Sequence, residues 1–227
     1  PVGTSSTEAQ RLFDLGLNWC FGFNQEEALA CFKAAAAIDP TCAMLHWGIA
    51  YAAGPFYNMP WGDFSEVEAV ECTLFCRSHI DRALALALSA NTSDLEVALI
   101  EALDKRVQKP YIVSPREFER WDTAYANAMR RVNTRFPDQL DVMALFVEAM
   151  MTRSPWNLWD VESGRPTEGA DTLEAIAICQ EAIRLADQSD MTQHSAILHL
   201  HIHLLEMSSE PEQAMDSADR LGQLARD

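Results

Sequence analysis

Three of the chain's six histidines fall within five residues, in His199-Leu200-His201-Ile202-His203, and Glu206 follows one turn later. At about 100° per residue, His199, His203 and Glu206 project within roughly 60° of one another on a helix, while His201 points to the far side. A histidine at i, a second at i+4 and a carboxylate at i+7 can converge on one ion or one polar group of a substrate. Imidazole nitrogen suits iron, copper and zinc, and two histidines with one carboxylate leave coordination positions open for substrate or oxygen. His199, His203 and Glu206 are therefore candidate ligands for a divalent transition metal, iron or copper ahead of zinc. Glu206 is also a candidate catalytic base acting through a bound water. The competing reading is a polar helix face whose histidines bond to backbone or to neighbouring carboxylates.

Two further groups of residues have the right chemistry to serve such a centre. His46 lies on an early helix of the kind that lines the concave side of a helical-repeat protein, and it is a candidate catalytic partner. Its alternative is to pack against Trp47 and donate one hydrogen bond. Residues 54–64 and 154–166 are loops unusually rich in aromatics for their Gly, Pro and Asn content. Tyr57, Trp61, Trp156 and Trp159 would wall an apolar pocket for a small organic molecule, with Asn58 and Asp160 orienting it by hydrogen bonds. Alternatively these loops fill gaps between irregular repeats. His79 and His194 have no partner identifiable in the sequence and are expected to be structural.

The elements that must hold these residues are all helical. Leu15, Gly16, Trp19, Ala28, Phe32, Ala35 and Pro40 fit the spacing of a tetratricopeptide unit, a helix-turn-helix repeat. Further helices are expected over 43–51, 65–88, from the Thr92-Ser93…Glu96 capping box to an end before Pro110, and over 114–135. The remainder are expected over 138–152, 167–186, 191–207 and 210–225, the last capped by Ser209 and Glu212. No stretch shows convincing strand alternation. The expected fold is all-α, with antiparallel helix pairs stacked as one irregular tetratricopeptide-like solenoid over 1–227. Its last helix reads as the second half of a repeat with no capping helix after it. A second chain or a C-terminal segment is expected to cover that end, the chain being the N-terminal part of a longer polypeptide.

Composition narrows the function classes. The 227 residues are 48% hydrophobic and 22% charged, a globular balance with enough chain to bury a core. Seventeen basic against 34 acidic residues give a net charge of −17, with no basic patch, so nucleic acid and anionic membranes are disfavoured partners. No apolar run approaches the roughly 20 residues of a membrane span. The six cysteines form no Cys-x-x-Cys pair, which suits a reduced, cytoplasmic protein. Cys72 and Cys76 read either as two small core residues or as a metal pair. Phosphate-binding glycine loops, His-Glu-x-x-His and the nucleophile elbow are absent, so nucleotide cofactors are not expected.

Several short pieces taken together resemble a group of tetratricopeptide-like proteins of bacteria and fungi, some of them in secondary-metabolite pathways. They are His46-Trp47-Gly48-Ile49-Ala50-Tyr51, Gly54-Pro55 with Tyr57-Asn58 and Pro60-Trp61, and Pro155-Trp156 with Leu158-Trp159-Asp160. His199-x-x-Ile202-His203-x-x-Glu206 and Ala218-Asp219-Arg220-Leu221 complete the set. The resemblance implies a further His-Met-Pro-x-His motif after the last helix, outside this sequence, and hence that the chain holds only part of a metal site. The leading expectation is a metal-dependent enzyme, oxidative in the first instance, acting on a small secondary-metabolite-like molecule. The substrate class comes from the resemblance alone. The competing class is a non-catalytic tetratricopeptide module that binds a peptide or protein partner.

Overall fold

The computed structural model describes residues 1–88, 91–110, 114–189 and 193–224. The chain divides into two compact units, Pro1–Ala128 and Met129–Asp227. The first holds α1 (Thr7–Phe21), α2 (Gln25–Ile38), α3 (Ala43–Ala53), α4 (Glu66–Leu86) and α5 (Asp94–Leu103). The division falls inside α6 (Pro115–Arg135). The second holds α7 (Leu140–Met151), α8 (Thr172–Gln188), α9 (Ser195–Leu205) and α10 (Met215–Leu224). The fold is all-α and made of packed helix pairs. Among the described residues, no helix is long and apolar enough to cross a membrane.

Local chemistry explains where the helices of the first unit begin. Ser65 and Ser93 each accept from the backbone three residues on, while Glu68 and Glu96 reach back to the cap N–H, two reciprocal capping boxes. Ser6 and Asn24 cap α1 and α2 through single side-chain bonds. The pairs then lock around Phe32. A Cβ added at Gly16 of α1 would lie 2.8 Å from its ring, and one at Gly48 of α3 would lie 2.6 Å from it. Only glycine lets both backbones close on this ring, which also meets Phe13 at 5.4 Å. Cys72 and Cys76 belong to the same core. Their sulfurs are 3.8 Å apart, and each donates to an α3 carbonyl, Cys72 to Ala53 and Cys76 to Ala50.

In the second unit α7 is buried at every position but Asp141 and packs on both α8 and α9. α9 sends Ala196, Ile197, Leu198, Leu200, Leu204 and Leu205 into this core, which fixes the rotation of its histidines. Between α7 and α8 runs a small antiparallel ladder, β1 (Trp159–Asp160) with β2 (Arg165–Pro166). No strand is expected here from the sequence, because two-residue strands are too short to display alternation. The ladder also delays α8, which begins at Thr172 rather than near residue 167: Thr167 still donates its N–H to Leu158 O and closes the hairpin.

The helix that starts at the Ser93–Glu96 box ends at Leu103, before Pro110 as expected; Lys105 and Arg106 then close successive tight turns onto Ala102 and Leu103. The last expected helix starts differently. The segment after Glu210 is a short 3-10 turn, Pro211–Ala214, before α10 begins at Met215. Glu210, not Ser209, stands at its N-terminal boundary, with no side-chain capping bond. The expected helix start at 191 and end at 225 lie outside the described residues.

Candidate functional site

The core-facing leucines of α9 leave His199 and His203 on a half-exposed face and turn His201 inward. His199 and His203 face each other through Nε2 atoms 3.0 Å apart, with ring centroids 4.7 Å apart. Glu206, one residue beyond the last helical position of α9, accepts from His203 Nδ1 at 2.7 Å. All three residues foreseen on one face are thus in contact, in a particular order. The carboxylate holds one nitrogen of His203, and the other nitrogen meets His199. A carboxylate can only accept, so it fixes the hydrogen of a neutral His203 at Nδ1 and leaves the Nε2 lone pair toward His199. Among the described residues, no group of three or more His, Cys, Asp or Glu side chains is placed to hold a metal ion. With that tautomer His199 Nε2–H donates to His203 Nε2, and the three side chains form a hydrogen-bonded chain from His199 to Glu206.

His201 has a separate task. It is 6% exposed, its Nδ1 lies 2.9 Å from Ser217 Oγ, and it ties α9 to α10. Burial holds its pKa below the ordinary histidine value, and the nearby Asp216 carboxylate offsets only part of that. His194 also has a partner that the sequence did not reveal: its Nε2 lies 2.9 Å from Asp141 Oδ1 of α7.

The loop over 154–166 supplies one wall of this face. Trp159 donates its indole N–H to Leu204 O at 2.6 Å, pinning the hairpin to the end of α9. Trp156 lies edge to face with His203, centroids 6.2 Å apart and planes at 83°. Asp160 accepts from Ser163 N at 2.8 Å, closing the hairpin turn, and those bonds hold its carboxyl below the ordinary carboxylate range.

The remaining candidates lie in the first unit and arrange themselves differently. Tyr57 is fully buried and Trp61 is 6% exposed. Trp61 stacks on Phe118 at 4.3 Å, and Phe23 packs on Phe56 and Tyr57. The aromatics at 57 and 61 are core side chains, and Asn58 is left exposed at the loop tip. His46 packs against His79 of α4, with Nδ1 atoms 3.0 Å apart and rings stacked at 5.3 Å. Its Nε2 lies 3.3 Å from Pro40 O. Burial is the main cause holding both below the ordinary histidine value; Arg82 adds to it at His46, and the His46 and Lys33 charges add to it at His79. No sequence signal foretold this pair, whose members are 33 residues apart.

Comparison with protein-family models finds none that matches this chain, and comparison with curated proteins finds no match.

Proposed function

We propose that the chain is a metal-dependent enzyme acting on a small organic molecule at the exposed face of α9, oxidative chemistry being the first assignment. The observation that carries the reading is the 3.0 Å approach of His199 Nε2 and His203 Nε2, with Glu206 on the opposite nitrogen of His203. Two nitrogens each about 2.0–2.1 Å from one transition ion stand about 3 Å apart when they occupy neighbouring positions around it. The carboxylate-on-imidazole arrangement is the outer-sphere pattern that sets the tautomer and raises the basicity of a ligating histidine. In this reading His199 and His203 are the ligands. Glu206 orients His203 and takes up a proton from it when needed. A bound iron or copper would supply Lewis acidity and one-electron chemistry, with the remaining positions left to substrate and solvent. Trp156 stands edge-on to His203 at one side of this face.

Metal analysis of the purified full chain after dialysis tests this, wild type beside His203→Ala. The expected result is near-stoichiometric iron or copper in the wild type, lost in the variant. Wild-type protein that folds and retains none after loading contradicts the reading.

A second reading is a helix-pair module that binds a protein partner. Leu15 and Trp19, one turn apart on α1, are 37% and 39% exposed, an apolar strip where a solitary domain would place polar residues. Capture of a partner that is lost in Leu15→Glu/Trp19→Glu and retained in His203→Ala is the result that favours it.

A further inference from the structure

Trp156 occupies a backbone position that suits it badly. Ser154, Pro155, Trp156 and Asn157 form a four-residue turn closed by Asn157 N donating to Ser154 O at 3.1 Å. Proline in second place is ordinary, but the third residue has φ +57°, where glycine or asparagine is the usual occupant. A tryptophan there is strained. It is also 48% exposed, so an expensive apolar surface faces water at the same residue. Phe23, the other non-glycine with positive φ among the described residues, is half-buried with its ring against Phe56 and Tyr57. Trp156 instead presents its ring beside His203.

The turn is held in place from the hairpin that follows it. Leu158 O accepts from Thr167 N and from Thr172 Oγ1, Trp159 is bonded to Leu204 O, and Gly164 N donates to Asp160 O at 2.8 Å. Gly164, at φ +66°, lets the hairpin tip approach Ser209, with a Cβ there only 3.2 Å from the Ser209 Cβ. A strained, exposed ring on a fixed support next to a candidate reacting group is the form of a stacking platform. We infer that Trp156 is the specificity-determining residue of the α9 face and that it selects a planar aromatic substrate, stacked on the indole beside His203. This rests on the reading of His199, His203 and Glu206 as the reacting group. An indole face offers area and a quadrupole rather than hydrogen bonds, so it distinguishes flat rings from puckered ones. With a net charge of −17, neutral or cationic rings are preferred to anionic ones.

The test uses the metal-free full chain, so that it is independent of metal uptake. Binding of 2-naphthol and of its saturated, puckered counterpart decahydro-2-naphthol is measured by calorimetry and by shifts of the His203 ring resonances. Wild type and Trp156→Phe are expected to bind 2-naphthol and to bind the saturated alcohol about tenfold more weakly. Trp156→Gly is expected to lose about tenfold in 2-naphthol affinity, with an unfolding midpoint equal to or above that of wild type because the turn strain is relieved. The inference is overturned if wild type fails to bind 2-naphthol, if both alcohols bind alike, or if Trp156→Gly binds as wild type does. It is also overturned if Trp156→Gly lowers the midpoint, which marks the ring as a structural member. Ring-dependent binding in a protein that takes up no metal sinks the metal reading alone. Metal uptake with ring-independent binding sinks the stacking alone.

Discussion

The chain contains two imidazole pairs with the same closest nitrogen–nitrogen approach, 3.0 Å, and opposite surroundings. In the first unit, Pro40 O can only accept, so it places the hydrogen of His46 on Nε2. The Nδ1 of a neutral His46 then accepts from His79, and the facing nitrogens satisfy each other. Lys33 and Arg82 are the charges that act on this pair, both positive. In the second unit the outer partner is a carboxylate, which fixes the hydrogen of His203 away from His199 and can balance a bound positive charge. The proton arrangement is the same in both pairs, an outer acceptor taking the hydrogen and the facing nitrogen accepting from the second ring. What distinguishes them is the group on the far nitrogen of His203, a carboxylate that in the proposed reading favours a bound cation, where Lys33 and Arg82 would oppose one at His46–His79.

Replacing that deciding group is the largest expected effect. Glu206→Gln should weaken iron or copper binding by about 10–100-fold without unfolding the chain. The same titration on His46→Ala should match wild type, and an equal loss in both variants would erase the distinction between the pairs. Next in size is the anchor that sets Trp156 beside His203. Trp159→Phe removes the donor to Leu204 O and should cost about 1 kcal/mol in thermal or denaturant unfolding. Hydrogen exchange should quicken in the hairpin; unchanged exchange there would mean that the hairpin is held by other contacts.

Acid should loosen the first unit through its own pair. His46 and His79 lie below their ordinary value when folded, so the unfolded chain binds more protons over the window beneath about pH 6.5. Stability then rises with pH across that window and falls on acidification from about pH 7 to 5. A second proton makes both rings positive, with their Nδ1 atoms 3.0 Å apart, beside Lys33 and Arg82. The unfolding midpoint of His79→Gln should depend on pH less steeply than that of wild type, and matching slopes would remove the pair as the cause. His201, also held below its ordinary value, contributes a residual slope of the same sign in both proteins. The smallest expected change is the neutral-pH cost of His46→Ala, about 0.5–1.5 kcal/mol for one half-buried bond and a stacked contact, read by denaturant unfolding.

How much of this was written in the sequence depends on distance along the chain. Features set within two helical turns were legible: the Ser93–Glu96 cap and the common face of His199, His203 and Glu206; Gly16 and Phe32 were legible through the spacing of the first helix pair. The two-residue ladder at Trp159 and Arg165 was not, since its register is set by a return from Thr167 to Leu158 rather than by alternation. Partners brought together by packing were also hidden, as with His46–His79, His194–Asp141 and His201–Ser217. One further signal is local to the sequence. Ser154-Pro155-Trp156-Asn157 has proline where a tight turn wants it and a tryptophan where the turn wants glycine.

The central claim is that His199 and His203 together present two nitrogens to one ion while His46 and His79 do not. Electron spin-echo modulation on the Cu(II)-loaded full chain counts imidazoles on the metal directly. Two are predicted in wild type and in His46→Ala, and one in His199→Ala and in His203→Ala. A spectrum with no imidazole, or one that neither α9 substitution changes, would contradict the account.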